Sequence, residues 1–207
     1  DDRHLLTVAG TRAGKTSTVL LHNLARYTGS MVVTDPKGEL ARATARVRAA
    51  MGQKVFILDP FGELRANLLS SASYSPFAEL GFGRGDLVAP DAALAADALI
   101  IPNEKDPHWT DSARNLVRAL ILFLVATEDV ATIRRVRSLL QSSNLAELFE
   151  RMVLMDAVDG ILSNAGASFL AKVNEGTKEF ASILSTAQEQ TAPLDDIRHV
   201  SDASDFN

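Results

Sequence analysis

The sequence predicts an α/β protein: a parallel sheet with helices on its faces, followed by an all-helical part. Three observations carry this. Short apolar runs alternate with helical stretches from Leu5 to about Pro60. Gly29 and Gly52 stand where two of those helices would end. Beyond residue 100 apolar residues recur at helical spacing, and no convincing strand follows.

The elements follow in order. Residues 5–8 are a strand, 15–27 a helix, 31–34 a second strand, 39–51 a second helix and 55–58 a third strand. Pro60, Gly62, Ser70, Ser71, Ser73, Ser75 and Pro76 mark an irregular connection, and Gly81, Gly83 and Gly85 mark another. Helices are then expected over 92–100, 110–127, 131–141, 145–156 and 167–188. Phe169, Val173, Phe180 and Leu184 keep helical spacing and read as core. This divides the chain into residues 1–90, an α/β part, 91–200, an all-helical part, and 201–207, a short final segment.

Between the first strand and the first helix the chain reads Ala9-Gly10-Thr11-Arg12-Ala13-Gly14-Lys15-Thr16. The phosphate-loop pattern is G-x-x-x-x-G-K-[S/T]; Gly14, Lys15 and Thr16 match, and Ala9 takes the first glycine's place. Each part has a physical task. Gly14 lets the backbone pass close to a phosphate, and successive N–H groups, aided by the helix N-terminus, make an anion-binding concavity. Lys15 reaches the β- and γ-phosphates, and the Thr16 hydroxyl ligates Mg²⁺. The expected ligands are ATP and Mg²⁺. The residues that bind them are Gly10, Thr11, Arg12, Ala13, Gly14, Lys15, Thr16 and Ser17, with Thr16 on the metal. Arg12 has two open roles, a phosphate or subunit contact and a solvated loop side chain.

Such a site also needs a strand-end carboxylate for Mg²⁺. Asp35 and Asp59 stand at that place, each before a proline, where a turn-starting Asp is the commoner arrangement. No Asp-Glu dipeptide occurs in the chain.

The run Val32 to Leu40, VVTDPKGEL, just after a phosphate loop, resembles the type IV secretion coupling proteins, the ATPases of conjugative DNA transfer. Further matches follow in order: Gly52-Gln53-Lys54-Val55 leading to Leu58-Asp59-Pro60-Phe61-Gly62, then Ser75-Pro76-Phe77, His108-Trp109 with Ala113, and Ser204-Asp205-Phe206. The resemblance implies a RecA-like motor domain with a helical insertion, hexameric rings at the cytoplasmic face of the bacterial inner membrane, and ATP-driven delivery of a relaxase-bound DNA or protein substrate to the secretion channel. Single-stranded DNA is a further implied partner. Lys15 takes the catalytic phosphate contact, and Asp35 and Glu39 are weaker candidates beside it. The family's transmembrane helices and its Asp-Glu strand have no counterpart here, so the chain is expected to be a piece of a longer protein that hydrolyses ATP poorly. Two other readings stay open: a P-loop small-molecule kinase with Asp35 at the acceptor, and a non-catalytic module whose helical part docks a relaxosome or effector protein.

Composition agrees with a folded domain, at 46% hydrophobic and 23% charged residues. The net charge of −5 argues against a basic groove over the whole chain. Arg134, Arg135 and Arg137 either line a channel or form a solvated face, and Arg42, Arg46 and Arg48 read as solvent-facing. Trp109 reads as a packing anchor. Without cysteine there is neither disulfide nor thiolate metal site. His4, His22, His108 and His199 show no metal spacing. The apolar run from Leu116 to Ala126, interrupted by Arg118, is too short to span a bilayer.

Overall fold

The computed structural model describes residues 6–64, 71–77, 80, 82–128, 131–176, 178–197, 201 and 203–205. Leu5 of the first expected strand, Ser70, Gly81, His4, His199 and Phe206 lie outside them. The chain forms two compact units, Asp1–Ala72 and Ser73–Asn207.

In the first unit a π-helical turn, Thr16–Leu20, runs into α1, Leu21–Arg26, and a second helix, α2, spans Glu39–Ala50. Leu24, Leu40, Ala45 and Leu64 are its buried apolar side chains among the described residues, a small core. The expected RecA-like parallel sheet is not there: no described residue is in a strand. The segments around 6–8, 31–34 and 55–58 run without a ladder, and their apolar side chains face outward. Leu6 is 84% exposed, Val8 82% and Val32 103%. The physical reason is that a β-rich run records fitness for a half-buried pleat, whereas a strand exists only when a neighbour accepts its backbone bonds.

The second unit is built around α4, Pro107–Thr127, with Pro107 in its first turn and eleven buried residues. It is followed by α5, Ile133–Leu140, α6, Leu145–Val153, α7, Ile161–Asn174, and α8, Lys178–Thr191, and preceded by α3, Val88–Leu99. α5 starts on a side-chain cap, the Thr132 hydroxyl accepting from the Arg135 amide at 3.2 Å. Leu116, Leu120, Ile121 and Leu124 of α4 are buried to the last per cent, each worth about 1.5–3 kcal/mol of transfer free energy. Trp109 packs on this core as an anchor.

Phe149, Phe169 and Phe180 form an aromatic cluster between α6, α7 and α8, with Phe149 and Phe169 stacked at 5.5 Å and Phe149 and Phe180 edge-on at 5.7 Å. The helix expected over 167–188 is two helices. Gly176, at φ +62, breaks the run between α7 and α8. Near the chain's end the Asp205 amide donates to the Ser73 carbonyl at 2.9 Å, and the Ser73 amide donates to the Asp205 carboxylate at 2.6 Å.

The basic run on α5 is not a free face. Arg135 pairs with Glu128 in a doubly bonded ion pair that holds its guanidinium above its usual pKa. Arg137 is buried. It donates to both Asp195 oxygens, at 3.2 and 2.6 Å, to the Gln188 carbonyl at 2.9 Å and to the Thr191 hydroxyl at 3.0 Å. The solvated-face reading therefore fails at Arg137, because its charge closes the C-terminal end of α8. No described helix is long and apolar enough to cross a membrane.

Candidate functional site

The phosphate-loop residues fold locally. The Ala13 amide donates to the Gly10 carbonyl at 3.3 Å, closing a turn, and Arg12 takes the left-handed region at φ +65. Gly14 follows at φ +85, where a side chain is strained, so the glycine of the motif is required by the backbone. The Lys15 ammonium then folds back into the loop. It donates to the Ala9 carbonyl at 2.5 Å and to the Gly10 carbonyl at 3.0 Å. The Ser17 and Thr18 hydroxyls donate to the Gly14 carbonyl at 3.0 and 2.8 Å, and the Thr18 amide donates to it at 2.9 Å. Thr11, Arg12, Ala13 and Thr16 are exposed.

The electrostatics favour an anion. From Leu6 to Thr34 the chain carries Arg12, Lys15 and Arg26 and no acid. The loop opens onto a helix N-terminus, whose first amides lack intrahelical acceptors. A metal fits this site only in the company of phosphate. Among the described residues there is no group of three or more His, Asp or Glu side chains that could hold an ion. Mg²⁺ keeps most of its waters and takes one or two protein oxygens plus phosphate oxygens, for which the exposed Thr16 hydroxyl suffices.

Of the acidic candidates, Asp35 and Asp59 are engaged by backbone amides of their own turns. The Asp35 carbonyl accepts from the Gly38 amide at 3.0 Å, and its carboxylate accepts from the Ala41 amide at 2.9 Å. Asp35 thus caps the start of α2. Glu39 is exposed in that helix's first turn, where a negative charge is favourable. No hydrogen bond or ion pair joins either residue to residues 10–17 among the described contacts. Asp59 is buried, and its two carboxylate oxygens accept from the Glu63 and Leu64 amides at 2.9 Å each. The structure thus brings 10–17 together and leaves the carboxylates on separate turns.

Two features escape a first reading of the sequence. One is a repeat: Asp35-Pro36-Lys37-Gly38-Glu39-Leu40 and Asp59-Pro60-Phe61-Gly62-Glu63-Leu64 share the pattern D-P-x-G-E-L and fold into the same kind of turn. The two turns touch. A side chain at Gly38 would meet Leu64 Cδ2 at 2.5 Å, and Arg42 donates to the Glu63 carbonyl at 2.9 Å. The other is Arg48, expected on a solvent-facing surface and found buried. Its signal was not local, since its partners, the Leu24, Tyr27 and Gly29 carbonyls, lie about twenty residues earlier, in and just after the last turn of α1.

Compared with known proteins, all of residues 1–207 match the family model described as type IV secretory system conjugative DNA transfer. The chain is 31% identical to the conjugal transfer protein TraG of Escherichia coli over 199 residues, 91% of this chain and 30% of that protein. It is 32% identical to the protein VirD4 of Rhizobium radiobacter over 120 residues, 58% of this chain and 17% of that protein. A conjugal transfer protein TraG of Agrobacterium fabrum is 30% identical over 141 residues, 65% of this chain. The chain spans less than a third of the length of these relatives. The chain belongs to the type IV secretory system conjugative DNA transfer family.

Proposed function

We propose that this chain is the ATP-binding part of a coupling protein of conjugative DNA transfer. In the whole protein, ATP hydrolysis would drive relaxase-bound DNA or protein substrates toward the secretion channel. The observation that carries the reading is the Lys15 ammonium held by the Ala9 and Gly10 carbonyls of its own loop at a helix start, in a stretch from Leu6 to Thr34 that carries no acidic residue. In this reading Lys15 exchanges the Ala9 and Gly10 carbonyls for the β- and γ-phosphates. The amides of residues 10–17 donate to phosphate oxygens, and Thr16 gives its hydroxyl to Mg²⁺. Bound ATP supplies the phosphoanhydride whose cleavage does the mechanical work. The wider setting completes the proposal: a homo-hexamer on the cytoplasmic face of the inner membrane, contacting channel components, with single-stranded DNA among its ligands.

A second reading, a substrate-docking module without turnover of its own, is favoured by the carboxylates. Asp59 spends both carboxylate oxygens on backbone amides, and Asp35 spends one, Oδ2, on the Ala41 amide. Asp59 would have to release the Glu63 and Leu64 amides to serve a nucleotide, which leaves Asp35, through its other oxygen, and exposed Glu39 as the remaining candidates. Steady-state ATP turnover, with and without single-stranded DNA, separates the readings. Turnover that requires Lys15 and rises with DNA supports the motor. ATP bound without turnover supports a binding part whose hydrolytic groups are not in this chain. Turnover unchanged in Lys15→Ala would sink the assignment of the loop.

A further inference from the structure

The helix that leaves the phosphate loop is weakly held by apolar packing. From Thr16 to Arg26 only Leu24 is buried. Leu20 is 45% exposed, and the first turn is wound as a π-helix, a geometry of poor intrinsic stability. Something else must fix the helix if its start is to present amides to a ligand at constant geometry.

The far end supplies it. Arg48, buried at 7% exposure near the end of α2, donates from Nη1 to the Leu24 carbonyl at 3.0 Å and to the Tyr27 carbonyl at 2.6 Å. Its Nη2 donates to the Gly29 carbonyl at 2.9 Å. Gln53 adds a bond from Nε2 to the Thr28 carbonyl at 2.8 Å. Leu24 lies in the last turn of α1, whose carbonyls the helix leaves unsatisfied and which carries partial negative charge, and Tyr27, Thr28 and Gly29 are the residues by which the chain leaves that helix. A guanidinium fits there because its planar fork serves several acceptors at once, which a lysine ammonium on a flexible stem does not. Gly29 is part of the fit: a side chain there would lie 2.6 Å from the Tyr27 ring.

We propose that Arg48 is a positioning residue for the phosphate loop. Latched to the Leu24 carbonyl in the last turn of α1 and to the Tyr27 and Gly29 carbonyls just after it, Arg48 holds the axis of the helix whose other end carries Lys15, Thr16 and Ser17, and so sets the loop's affinity for nucleotide phosphates. The proposal rests on the ATP-binding reading of that loop.

The test compares the wild-type chain with Arg48→Lys, Arg48→Ala and a control, Leu64→Ala. The control loosens the same unit at the Gly38 turn, against which Leu64 packs, and leaves the Arg48 hydrogen bonds in place. Two quantities are read: amide hydrogen exchange across Leu21–Arg26 without nucleotide, and the Kd for Mg-ATP well below each variant's melting point. Both Arg48 variants should exchange faster in α1. They should bind ATP about tenfold or more weakly, the loss expected when charge-assisted bonds to a helix end are removed. Leu64→Ala, at a comparable loss of melting temperature, should keep its Kd within about twofold. Guanidinium ion at millimolar concentration should restore part of the affinity of Arg48→Ala and none of any loss in Leu64→Ala. Unchanged exchange in α1, or equal affinity losses in Arg48→Ala and the control, would overturn the assignment. A wild-type chain that binds no ATP removes the functional reading itself. A wild-type chain that binds, with Arg48 variants that bind equally well, removes only the role of Arg48.

Discussion

Replacing Gly166 by alanine tests the packing of the helical unit at its tightest crossing. A β-carbon at this position in α7 would sit 2.6 Å from Met152 Cβ, 2.9 Å from the Phe149 carbonyl oxygen and 3.0 Å from the Val153 amide nitrogen. Two of these three neighbours are backbone atoms of α6, so no rotamer change relieves the clash and the helices must separate. Over-packing of this kind costs about 1–3 kcal/mol. Alanine returns up to about 1 kcal/mol of helix propensity at an interior glycine. The net is a destabilisation of about 1–2 kcal/mol, or a melting point lower by about 3–8 °C. Thermal and urea unfolding followed by far-ultraviolet circular dichroism measure it. Phe149 stacks with Phe169 across the same contact, so near-ultraviolet dichroism should weaken in parallel. A Gly166→Ala chain that melts at or above the wild type would refute the close crossing, because propensity alone would then decide the sign.

Other outcomes follow from single contacts. Arg137→Met removes a buried guanidinium that serves Asp195, Gln188 and Thr191, and should cost about 2–4 kcal/mol in urea unfolding, whereas Arg135→Met, on an exposed pair, should cost under about 1 kcal/mol. Gly38→Ala should destabilise the first unit, since φ is +67 and Leu64 occupies the space of the added methyl; limited proteolysis between 35 and 64 would register it as faster cleavage. The Glu179 carboxylate is held below its usual value of 4.5, chiefly by the hydrogen bond from Lys172. Its stabilisation is therefore present above that value and lost as pH falls through the lower folded value. The melting points of wild type and Glu179→Gln should differ at pH 7 and converge below pH 4.5.

Local features were legible in the sequence, and long-range ones were not. The loop around Gly14 is set by residues within a few positions of one another, so its tight turn follows from the motif, whereas the fold-back of Lys15 onto the Ala9 and Gly10 carbonyls does not. α4 was readable from periodic apolar residues, with Pro107 extending it beyond the expected start at 110. The sheet failed because Val32 and Val33 report β-propensity, and propensity is silent about whether a partner strand accepts their backbone. Gly176 was visible but was outweighed by the spacing of Phe169, Val173, Phe180 and Leu184, which continues in phase across the break. Arg48 and Arg137 were read as solvated because charged side chains seldom bury. Each lies over the carbonyl end of another helix, and only the folded chain brings those acceptors within reach. The paired D-P-x-G-E-L turns could have been found from sequence alone, since residues 59–64 repeat all five fixed residues of 35–40.

The central claim is that residues 9–17 hold the phosphates of a nucleotide. Isothermal titration of the chain with Mg-ATP, beside Lys15→Ala, tests it most directly. Loss of the lysine's charge-assisted contacts should weaken binding by about ten- to a hundredfold. The helical unit should keep its melting point, because Lys15 belongs to the other unit. Equal affinity in the two proteins, or no heat of binding in the wild type at millimolar ATP, would contradict the account.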